Sequence, residues 1–382
     1  MKPLSVFTYF LNNKKSVYAV FIAISLSVFL LYSLQIIINS TWMVSELAFV
    51  EPQKHYSSIT PKGALLDTQM VESIREWDCV EKVIPWVFQY INFTIKVGGD
   101  TGTKVFTLYQ DDMEEMITLL DLKLIEGSLP SPDKNEIAVH EQLARNKGLK
   151  IGDSIGSHVE RDEALKGEYK IVGILDGKSI VSFASLEKWM KNNEVYDPFR
   201  FGIIILPKPE RFEEMNLRLE YLPATDLDLR TLSLVRLRNQ ENARGLFIVL
   251  NLINLMVILI VSICVGFLTY IYMYQRRVEF GLLNAIGYTR QEVLSRSFKE
   301  IITLCFSGYA FGVLLSMISG IILYWTLFYP KGQGIRLWNL DYFLNTACIP
   351  LFATLFSIIP VWNMLTGLDP VTILEGGMTD AD

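Results

Sequence analysis

Residues 276–297, RRVEFGLLNAIGYTRQEVLSRS, form a strongly charged segment between two long apolar runs. Apolar residues recur at helical spacing through this segment as far as Ile286, and Gly287 follows, which predicts a short helix ended by a left-handed glycine. Thr289 and Glu292 form a capping-box pattern, which predicts that a second helix begins at once. We therefore expect a tight bend of helix, glycine and helix.

Four runs of the 382-residue chain contain no Asp, Glu, Lys or Arg, although 20% of all residues are charged. These runs are residues 17–38, 246–274, 301–329 and 342–364. Each is long enough to cross a hydrocarbon layer of roughly 30 Å, which needs about 20 helical residues. Core helices of soluble proteins rarely remain uncharged for this length. We predict four membrane spans, the first an uncleaved anchor because it is too long for a signal peptide.

Basic residues in short loops predict the orientation of the spans. Lys14 and Lys15 precede the first run, and Arg276, Arg277 and Arg290 lie in the bend, so both regions are predicted to be cytoplasmic. The chain then reads, in order, as a cytoplasmic tail (1–16), span 1 (17–38), an extracytoplasmic domain (39–230), a stalk helix (231–245), span 2 (246–274), the cytoplasmic coupling helix and bend (275–300), span 3 (301–329), a short outer loop (330–341), span 4 (342–364) and a cytoplasmic tail (365–382).

The block at residues 39–230 is polar and large enough to bury its own core. Helical spacing predicts helices at 67–77, 111–120, 141–146 and 185–190, and alternating or short apolar runs predict strands at 90–97, 104–109, 136–139, 168–175 and 201–206. Helical periodicity resumes near residue 231 and continues into span 2 without Gly or Pro before Gly245. The fold class is thus a membrane protein with four transmembrane helices and a large mixed α/β extracytoplasmic domain.

The chain lacks recognisable catalytic motifs. His55, His140 and His158 are far apart in sequence and are predicted to be solvated surface residues rather than metal ligands. Residues 98–104, GGDTGTK, lack the spacing of a nucleotide-binding P-loop and predict a hairpin turn. The formal net charge of −6 argues against a nucleic-acid partner. We expect no enzyme activity, metal or cofactor in this chain.

The spans carry no ionisable side chains, so a proton-driven carrier or an ion channel is disfavoured. Energy for any work must then come from another chain, through the exposed helix of the bend. Gly308, Gly312, Ser316 and Gly320 repeat every four residues, a ridge that suits either packing within the subunit or dimerisation. Asn251 and Asn254 of span 2 are predicted to serve helix packing.

The order of parts and several motifs are similar to the MacB/FtsX-type permease subunits of ATP-binding cassette (ABC) transporters. The segment RRVEFGLLNAIGYTRQEVL at residues 276–294 resembles the family signature R-x-x-E-[FI]-G-[LI]-[LR]-x-A-[IL]-G, and the ending LDPVTILEGG occupies residues 368–377. In the outer block, IEGSLP, NEIAVHEQLA and GLKIGDSI resemble the MacB-like outer domain. Glu375 departs from the family, whose members often end this motif with a basic residue.

The resemblance implies a mechanotransmission exporter of the cell membrane, with both termini cytoplasmic. Glu279, Phe280, Leu283, Asn284, Ile286 and Gly287 would form the coupling helix on which the ATPase docks, with Phe280, Leu283 and Ile286 as its apolar face. The expected partners are a separate cytoplasmic ABC ATPase that binds the ATP, a second permease copy or paralogue, an extracytoplasmic adaptor or effector, and membrane lipids.

Three functions stay open from the sequence. The first is export or extraction of a peptide, antibiotic or lipid-linked substrate. The second is an FtsX-like device that moves nothing and regulates a cell-wall hydrolase or sensor kinase through the outer domain. The third, an ATPase-free receptor or anchored enzyme, requires a ligand pocket or catalytic set that the sequence does not display.

Overall fold

The computed structural model describes residues 14–63, 65–95, 99–223 and 226–366. Most of the predicted amino-terminal tail lies outside these residues, as do the motif at 368–377 and Glu375. The described chain divides into two compact units. The membrane unit contains the chain up to Ile37, Leu246–Ile322 and the chain from Arg336 onward, and the outer unit contains Ile38–Gly245 and Leu323–Ile335.

The described helices are α1 (Lys14–Ser45), α2 (Thr68–Arg75), α3 (Gln110–Leu119), α4 (Glu141–Lys147), α5 (Leu186–Asn193), α6 (Phe212–Glu220), α7 (Leu232–Gln275), α8 (Arg277–Ala285), α9 (Arg290–Leu323) and α10 (Leu340–Thr366). Four of them, α1, α7, α9 and α10, contain segments long and apolar enough to cross a membrane, which confirms the four predicted spans. Helix α7 is continuous from Leu232, so the helical period seen near residue 231 runs unbroken into span 2.

The ridge of small residues on α9 packs against span 1 within the same subunit. A Cβ atom at Gly312 would lie 2.6 Å from the Ser25 carbonyl oxygen, and one at Gly308 would lie 3.2 Å from Ile24. Ser316 Oγ donates a hydrogen bond of 3.0 Å to the Phe29 carbonyl oxygen. The two helix backbones approach closely because these positions lack bulk, as in small-residue packing of membrane helices generally. Of the two predicted roles for the ridge, the structure shows packing within the subunit.

The outer unit contains two β-sheets. Their strands are β1 (Ser57–Pro61), β2 (Val80–Pro85), β3 (Val87–Ile95), β4 (Gly99–Leu108), β5 (Lys123–Gly127), β6 (Glu136–His140), β7 (Ser154–Ile155), β8 (Tyr169–Asp176), β9 (Val181–Ser185), β10 (Ile203–Pro207) and β11 (Leu227–Arg230). The first sheet is antiparallel with order β11-β1-β10-β2, and the second has order β3-β4-β9-β6-β8-β5 with β7 paired to β8. Strand pairs β4–β9 and β6–β8 are parallel, so the second sheet is mixed.

Strand β10 shows how the two sheets share the core of the outer unit. Its residues alternate, with Ile203 and Ile205 in a cluster beside α2 and α6, and Ile204 and Leu206 in a second cluster that joins both sheets. Both faces of β10 are therefore buried, which explains why the sequence shows an unbroken apolar run there. Trp86, Phe106 and Phe183 form the aromatic centre of the shared cluster.

Each helix and strand that the sequence predicted from helical spacing, alternation or a short apolar run is present. Strand β9 was missed, because all five of its residues are buried but Ser182 and Ser185 interrupt the apolar run that would mark a buried strand. Strand β5 was missed for the opposite reason, since all five of its residues are exposed at the sheet edge. The prediction of a hairpin turn at residues 98–104 is wrong for the described part, because Gly99–Leu108 is strand β4.

The segment Leu323–Ile335, which begins at the last residue of α9 and which we call the strap, belongs to the outer unit. Asn146 Nδ2 donates to the Lys331 carbonyl oxygen at 3.0 Å, and Lys331 Nζ donates to the Asn146 carbonyl oxygen at 3.3 Å. Gln333 Nε2 donates to the Thr94 carbonyl oxygen at 3.3 Å. Gly332 has φ of +63°, and a Cβ there would lie 2.0 Å from the Gln142 carbonyl oxygen, so only glycine fits this contact.

His140 is buried, which contradicts the prediction that all three histidines are solvated; His55 and His158 are exposed as predicted. His140 caps α4: its Nδ1 accepts from the Gln142 amide at 3.2 Å, so Nε2 carries the proton and donates to the Gly177 carbonyl oxygen at 3.1 Å. Burial lowers the pKa of His140, against smaller opposing effects of the Gly177 carbonyl, Asp176 and Glu141.

This lowered pKa predicts that the outer unit loses stability in acid. The folded state holds His140 neutral, so its contribution is full above the ordinary histidine pKa of about 6.5 and is lost as pH falls below it toward the folded pKa. Thermal unfolding of the full chain in detergent, followed by tryptophan fluorescence between pH 7.5 and pH 5, should show this loss. His140→Asn keeps a capping oxygen but cannot titrate, so its pH dependence should be flatter. His158→Asn, at an exposed position, should show the same pH dependence of thermal unfolding as wild type. An equal pH dependence in all three proteins would contradict the assignment.

Candidate functional site

The bend between spans 2 and 3 has the local structure that its sequence predicts. Helix α8 ends at a Schellman motif, in which the Tyr288 amide donates to the Leu283 carbonyl oxygen at 3.1 Å. Gly287 adopts φ of +105°, a left-handed conformation that favours glycine. The Thr289 amide donates to Glu292 Oε2 at 2.9 Å, and the Glu292 amide donates to Thr289 Oγ1 at 3.3 Å, which is a complete capping box for α9.

A buried ion network joins the end of α7, helix α8 and the start of α9. Arg276 Nη1 donates to Glu300 Oε2 at 2.6 Å and Arg276 Nε to Glu279 Oε2 at 2.9 Å. Arg296 Nε donates to the other Glu300 oxygen at 3.1 Å. The side chain of Glu300 is 1% exposed and that of Arg276 6%. Charges this buried are stable only when paired, so the network fixes the three helices in one arrangement.

Sequence reasoning identified Glu279 as a coupling residue but missed Glu300, Arg296 and Tyr272, whose hydroxyl lies 3.1 Å from Arg276 Nη1. A signal was present, because Arg276 and Glu300 are opposite charges at the two ends of the charged segment. Their pairing could not be deduced from spacing alone, since 24 positions separate them and only the reversal of chain direction at Gly287 brings them together.

The exposed apolar residues of α8 are not the set that the sequence predicted. Phe280 is 1% exposed, and the Arg276 guanidinium carbon lies 4.9 Å from the centre of its ring, so its predicted place on a docking face is wrong. Leu283 is half-buried, and Ile286 is 76% exposed. Val278 and Leu282 are exposed at positions eight and four residues before Ile286, respectively, so the three share one face. The side chain of Asn284 lies outside the described part of the structure.

A groove of about 610 Å³ is lined by residues of α8 and the start of α9. Leu283, Tyr288 and Val293 contribute apolar surface to it, and Glu292, Arg296 and Lys299 contribute charge. The bend thus offers both an apolar stripe (Val278, Leu282 and Ile286) and a charged concave surface. This combination suits contact with a protein, since protein interfaces combine a buried apolar centre with a polar rim.

Comparison with known proteins agrees with this architecture. Residues 251–367, which include the bend, match the model of the FtsX-like permease C-terminal family. The chain is 23% identical over 353 residues to a protein of Staphylococcus haemolyticus (strain JCSC1435) described as "Putative hemin transport system permease protein HrtB", which covers 85% of each chain. Together with four spans and a mixed α/β outer domain, these matches support a MacB/FtsX-type permease.

Solved structures of outer domains are also similar. The periplasmic region of MacB from Actinobacillus actinomycetemcomitans aligns with 10% identity and a TM-score of 0.30, over 48% of this chain and 92% of that one. The extracellular domain of the noncanonic ABC-type transporter YknZ from Gram-positive bacteria aligns with 8% identity and a TM-score of 0.29, over 46% of this chain and 99% of that one.

The buried pair Arg276–Glu300 predicts a specific pattern in a double-mutant cycle. Arg276→Met or Glu300→Met alone leaves a buried charge with fewer partners and should cost about 3–5 kcal/mol. The double variant removes both charges, so its loss should be smaller than the sum of the two single losses. Melting temperatures in detergent measure this. Glu279→Gln, at a carboxylate that is 40% exposed, is the control and should cost less. Additive losses in the cycle would show that the two side chains do not act as a pair.

Proposed function

We propose that this chain is the membrane subunit through which a separate cytoplasmic ATPase moves the extracytoplasmic domain. The observation that supports the proposal most is the apolar stripe Val278, Leu282 and Ile286, which is exposed on a helix held to spans 2 and 3 by buried charges. A permease of this class has an ATPase partner, and the bend lies on the side of the membrane that basic residues mark as cytoplasmic. The ATP and its chemistry belong to that partner.

The docked ATPase would move α8 and the adjoining ends of α7 and α9 as one rigid unit. Nucleotide-driven closure displaces α8, and the Arg276–Glu300 pair prevents α8 from shifting without α7 and α9. Helix α7 continues without interruption to Leu232, directly after strand β11 of the outer domain. Helix α9 leads into the strap, which is hydrogen-bonded to α4 and β3 of the outer domain. Both helices can thus carry displacement along the chain into the outer domain.

The transported substrate would be an amphiphilic compound taken from the membrane or its outer face. Hemin is the first candidate, because the curated relative is described as a hemin transport permease; peptides, antibiotics and lipid-linked compounds are the alternatives. Spans without ionisable side chains offer no path for a small ion, which favours a substrate that the outer domain handles instead. An FtsX-like regulator would use the same displacement of the outer domain without a transported substrate.

The docking stripe predicts that Ile286→Asp abolishes co-purification of the ATPase, because a carboxylate would be buried without a partner in the interface. Val159→Asp makes the same change at an exposed apolar position of the outer domain and should leave binding intact. ATPase binding retained by Ile286→Asp would exclude this surface.

In the assembled wild-type complex, hemin should stimulate ATP hydrolysis several-fold more than a peptide antibiotic does. A stable complex that no transported compound stimulates would favour the regulatory function.

A second copy of the permease would pack against span 2. Only 17% of the most apolar window of span 2 is buried within the chain, against 39% for each of the other three spans. The side chain of Asn251 is exposed on this helix, and Asn254 Oδ1 is buried without a hydrogen-bond partner. Amide groups facing lipid are unfavourable, whereas amides hydrogen-bond well between membrane helices. The exposed amide of Asn251 supports a protein neighbour on this face rather than lipid alone, whereas the Asn254 oxygen is buried within the chain.

Cys264, exposed on span 2, provides a natural test of this dimer. Mild oxidation in membranes should join two copies through Cys264 into a band of twice the monomer mass on non-reducing gels. Cys264→Ser should remove that band, whereas Cys348→Ser, on span 4, should not. A cross-link that persists without Cys264 but requires Cys348 would place span 4 rather than span 2 at the interface.

A further inference from the structure

A cavity of about 480 Å³ lies within the outer unit, between parts of the chain that lead to spans 1 and 2. One wall is formed by the end of α1 and the residues that follow it, including Ser45 and Phe49, and the opposite wall by the first turns of α7, including Arg238 and Asn239. Ser45 Oγ donates to Asn239 Oδ1 at 2.8 Å and links the two walls. Strand β4 supplies Lys104, from the glycine-containing segment that sequence reasoning had set aside.

Lys104 is 1% exposed and has no acidic partner among the described side chains. Its Nζ lies 3.0 Å from Gln53 Oε1, 3.1 Å from the Tyr56 hydroxyl and 3.3 Å from the Phe49 carbonyl oxygen. These contacts are all uncharged, so they satisfy the ammonium hydrogens without balancing the charge. A buried cation without a counter-ion is unfavourable unless an anion joins it.

Two arginines of the same cavity share one carboxylate. Arg230 Nη2 lies 2.7 Å from Asp228 Oδ2, and Arg238 Nη1 lies 2.6 Å from Asp228 Oδ1. Each guanidinium has five N–H donors, so the shared carboxylate leaves donors available on Arg238, whose side chain is 46% exposed. With Lys104, the described side chains around the cavity therefore bring three cationic groups together with one acidic group.

Burial and the neighbouring positive charge both affect the pKa of Lys104. Burial away from water, reinforced by the positive charge of Arg230, holds the pKa of Lys104 well below its ordinary value. An anion in the cavity would favour the charged ammonium and relieve the repulsion between the two cations. The electrostatics of the cavity thus favour an occupant with negative charge.

Part of the remaining surface of the cavity is apolar, and polar side chains such as Thr101, Asn239 and Asn242 line the rest. The rings of Phe49 and Tyr90 lie with their centroids 6.1 Å apart, and Val235 adds an aliphatic face from α7. A small inorganic anion would leave this surface uncovered. A ligand with a charged head and an apolar body would use both parts of the cavity, as ligand sites generally do when a few polar groups orient a mainly apolar molecule.

We propose that this cavity binds an anionic amphiphile, with its carboxylate or phosphate at Arg230 and Arg238 beside Lys104 and its apolar body against Phe49, Tyr90 and Val235. The assignment goes beyond the proposed function, because it requires neither an ATPase nor transport. The same head-group chemistry is available from a free amphiphile, such as a fatty acid, and from an anionic phospholipid. Since the cavity joins the segments that lead to spans 1 and 2, its occupant would also brace them against each other.

The test uses the full chain in phosphatidylcholine nanodiscs, without ATPase or nucleotide, titrated calorimetrically with octanoate. Octanol has the same chain without the charge, and it should bind at least about tenfold more weakly, as expected when charge-assisted hydrogen bonds are lost. Equal binding of octanol and octanoate would overturn the proposal. Failure of the proposed ATPase coupling would leave this result unchanged, since no ATPase is present.

Three variants separate an anion site from a structural role. Arg238→Gln should weaken octanoate binding about tenfold, whereas Arg236→Gln, an exposed arginine of the same helix that does not line the cavity, should stay within about twofold of wild type. Asp228→Asn removes the competing carboxylate and should tighten binding, an opposite sign that general loss of structure cannot produce. Unchanged affinity in Arg238→Gln, or weaker binding in Asp228→Asn, would overturn the proposal.

A second lipid composition distinguishes a phospholipid from a free amphiphile as the source of the ligand. With about 30% phosphatidylglycerol in the nanodiscs, a lipid occupant would compete and lower the apparent octanoate affinity of wild type but not the residual affinity of Arg238→Gln. That result would support the anion site and assign it to a phospholipid head group. Unchanged wild-type affinity would support the site and assign it to a free amphiphile.

Discussion

The bend depends on one buried interaction, the ion pair between Arg276 and Glu300. Two charges at this degree of burial are stable only in contact, because each would otherwise lose its hydration without compensation. The end of α7 and the start of α9 are therefore held together at the point where the chain reverses. Glu279 of α8 belongs to the same network, so the helix that would receive an ATPase cannot move independently of the two spans. An apolar contact at this position would transmit much less displacement from α8 to the two spans, since apolar packing is not directional.

Helix α9 leads at its far end into a second directional contact. The strap that follows it is joined to the outer domain by reciprocal hydrogen bonds between Asn146 and Lys331 and by close backbone packing at Gly332. Span 3 is thus flanked by specific polar contacts, buried charges at the bend and hydrogen bonds from side chains to backbone carbonyls at the strap. Its middle is different, because Gly308, Gly312 and Ser316 pack directly on the backbone of span 1. Such backbone-to-backbone packing moves two helices as a unit, and spans 1 and 3 would therefore shift together.

Charge is used differently in the two units. In the bend, the charges of arginine and glutamate balance each other, and the ion pairs hold the helices in one arrangement. In the outer cavity, Lys104, Arg230 and Arg238 face a single Asp228, and the surplus positive charge makes the cavity a candidate for an anionic ligand. Both arrangements lie where the chain enters or leaves a span. A ligand that braces the segments leading to spans 1 and 2 would oppose or favour the displacement that the bend delivers, because α7 connects the two sites along the chain.

Local patterns in the sequence were sufficient for the spans, the Gly287 stop, the capping box and the outer elements with one solvated face. Each depends on interactions within a few residues or on average hydropathy, which a linear sequence displays directly. Strand β9, the burial of His140 and Phe280, the strap and the partners of Arg276 and Lys104 could not be read in this way. They depend on which distant segments meet: β9 is buried on both faces, and Phe280 is buried with the Arg276 guanidinium over its ring. The sequence by itself determined four apolar spans, a mixed α/β outer domain and a tight bend between spans 2 and 3. Only the tertiary structure decided which residues of that bend are exposed and where unbalanced charge is buried, because burial and pairing are properties of the assembled chain.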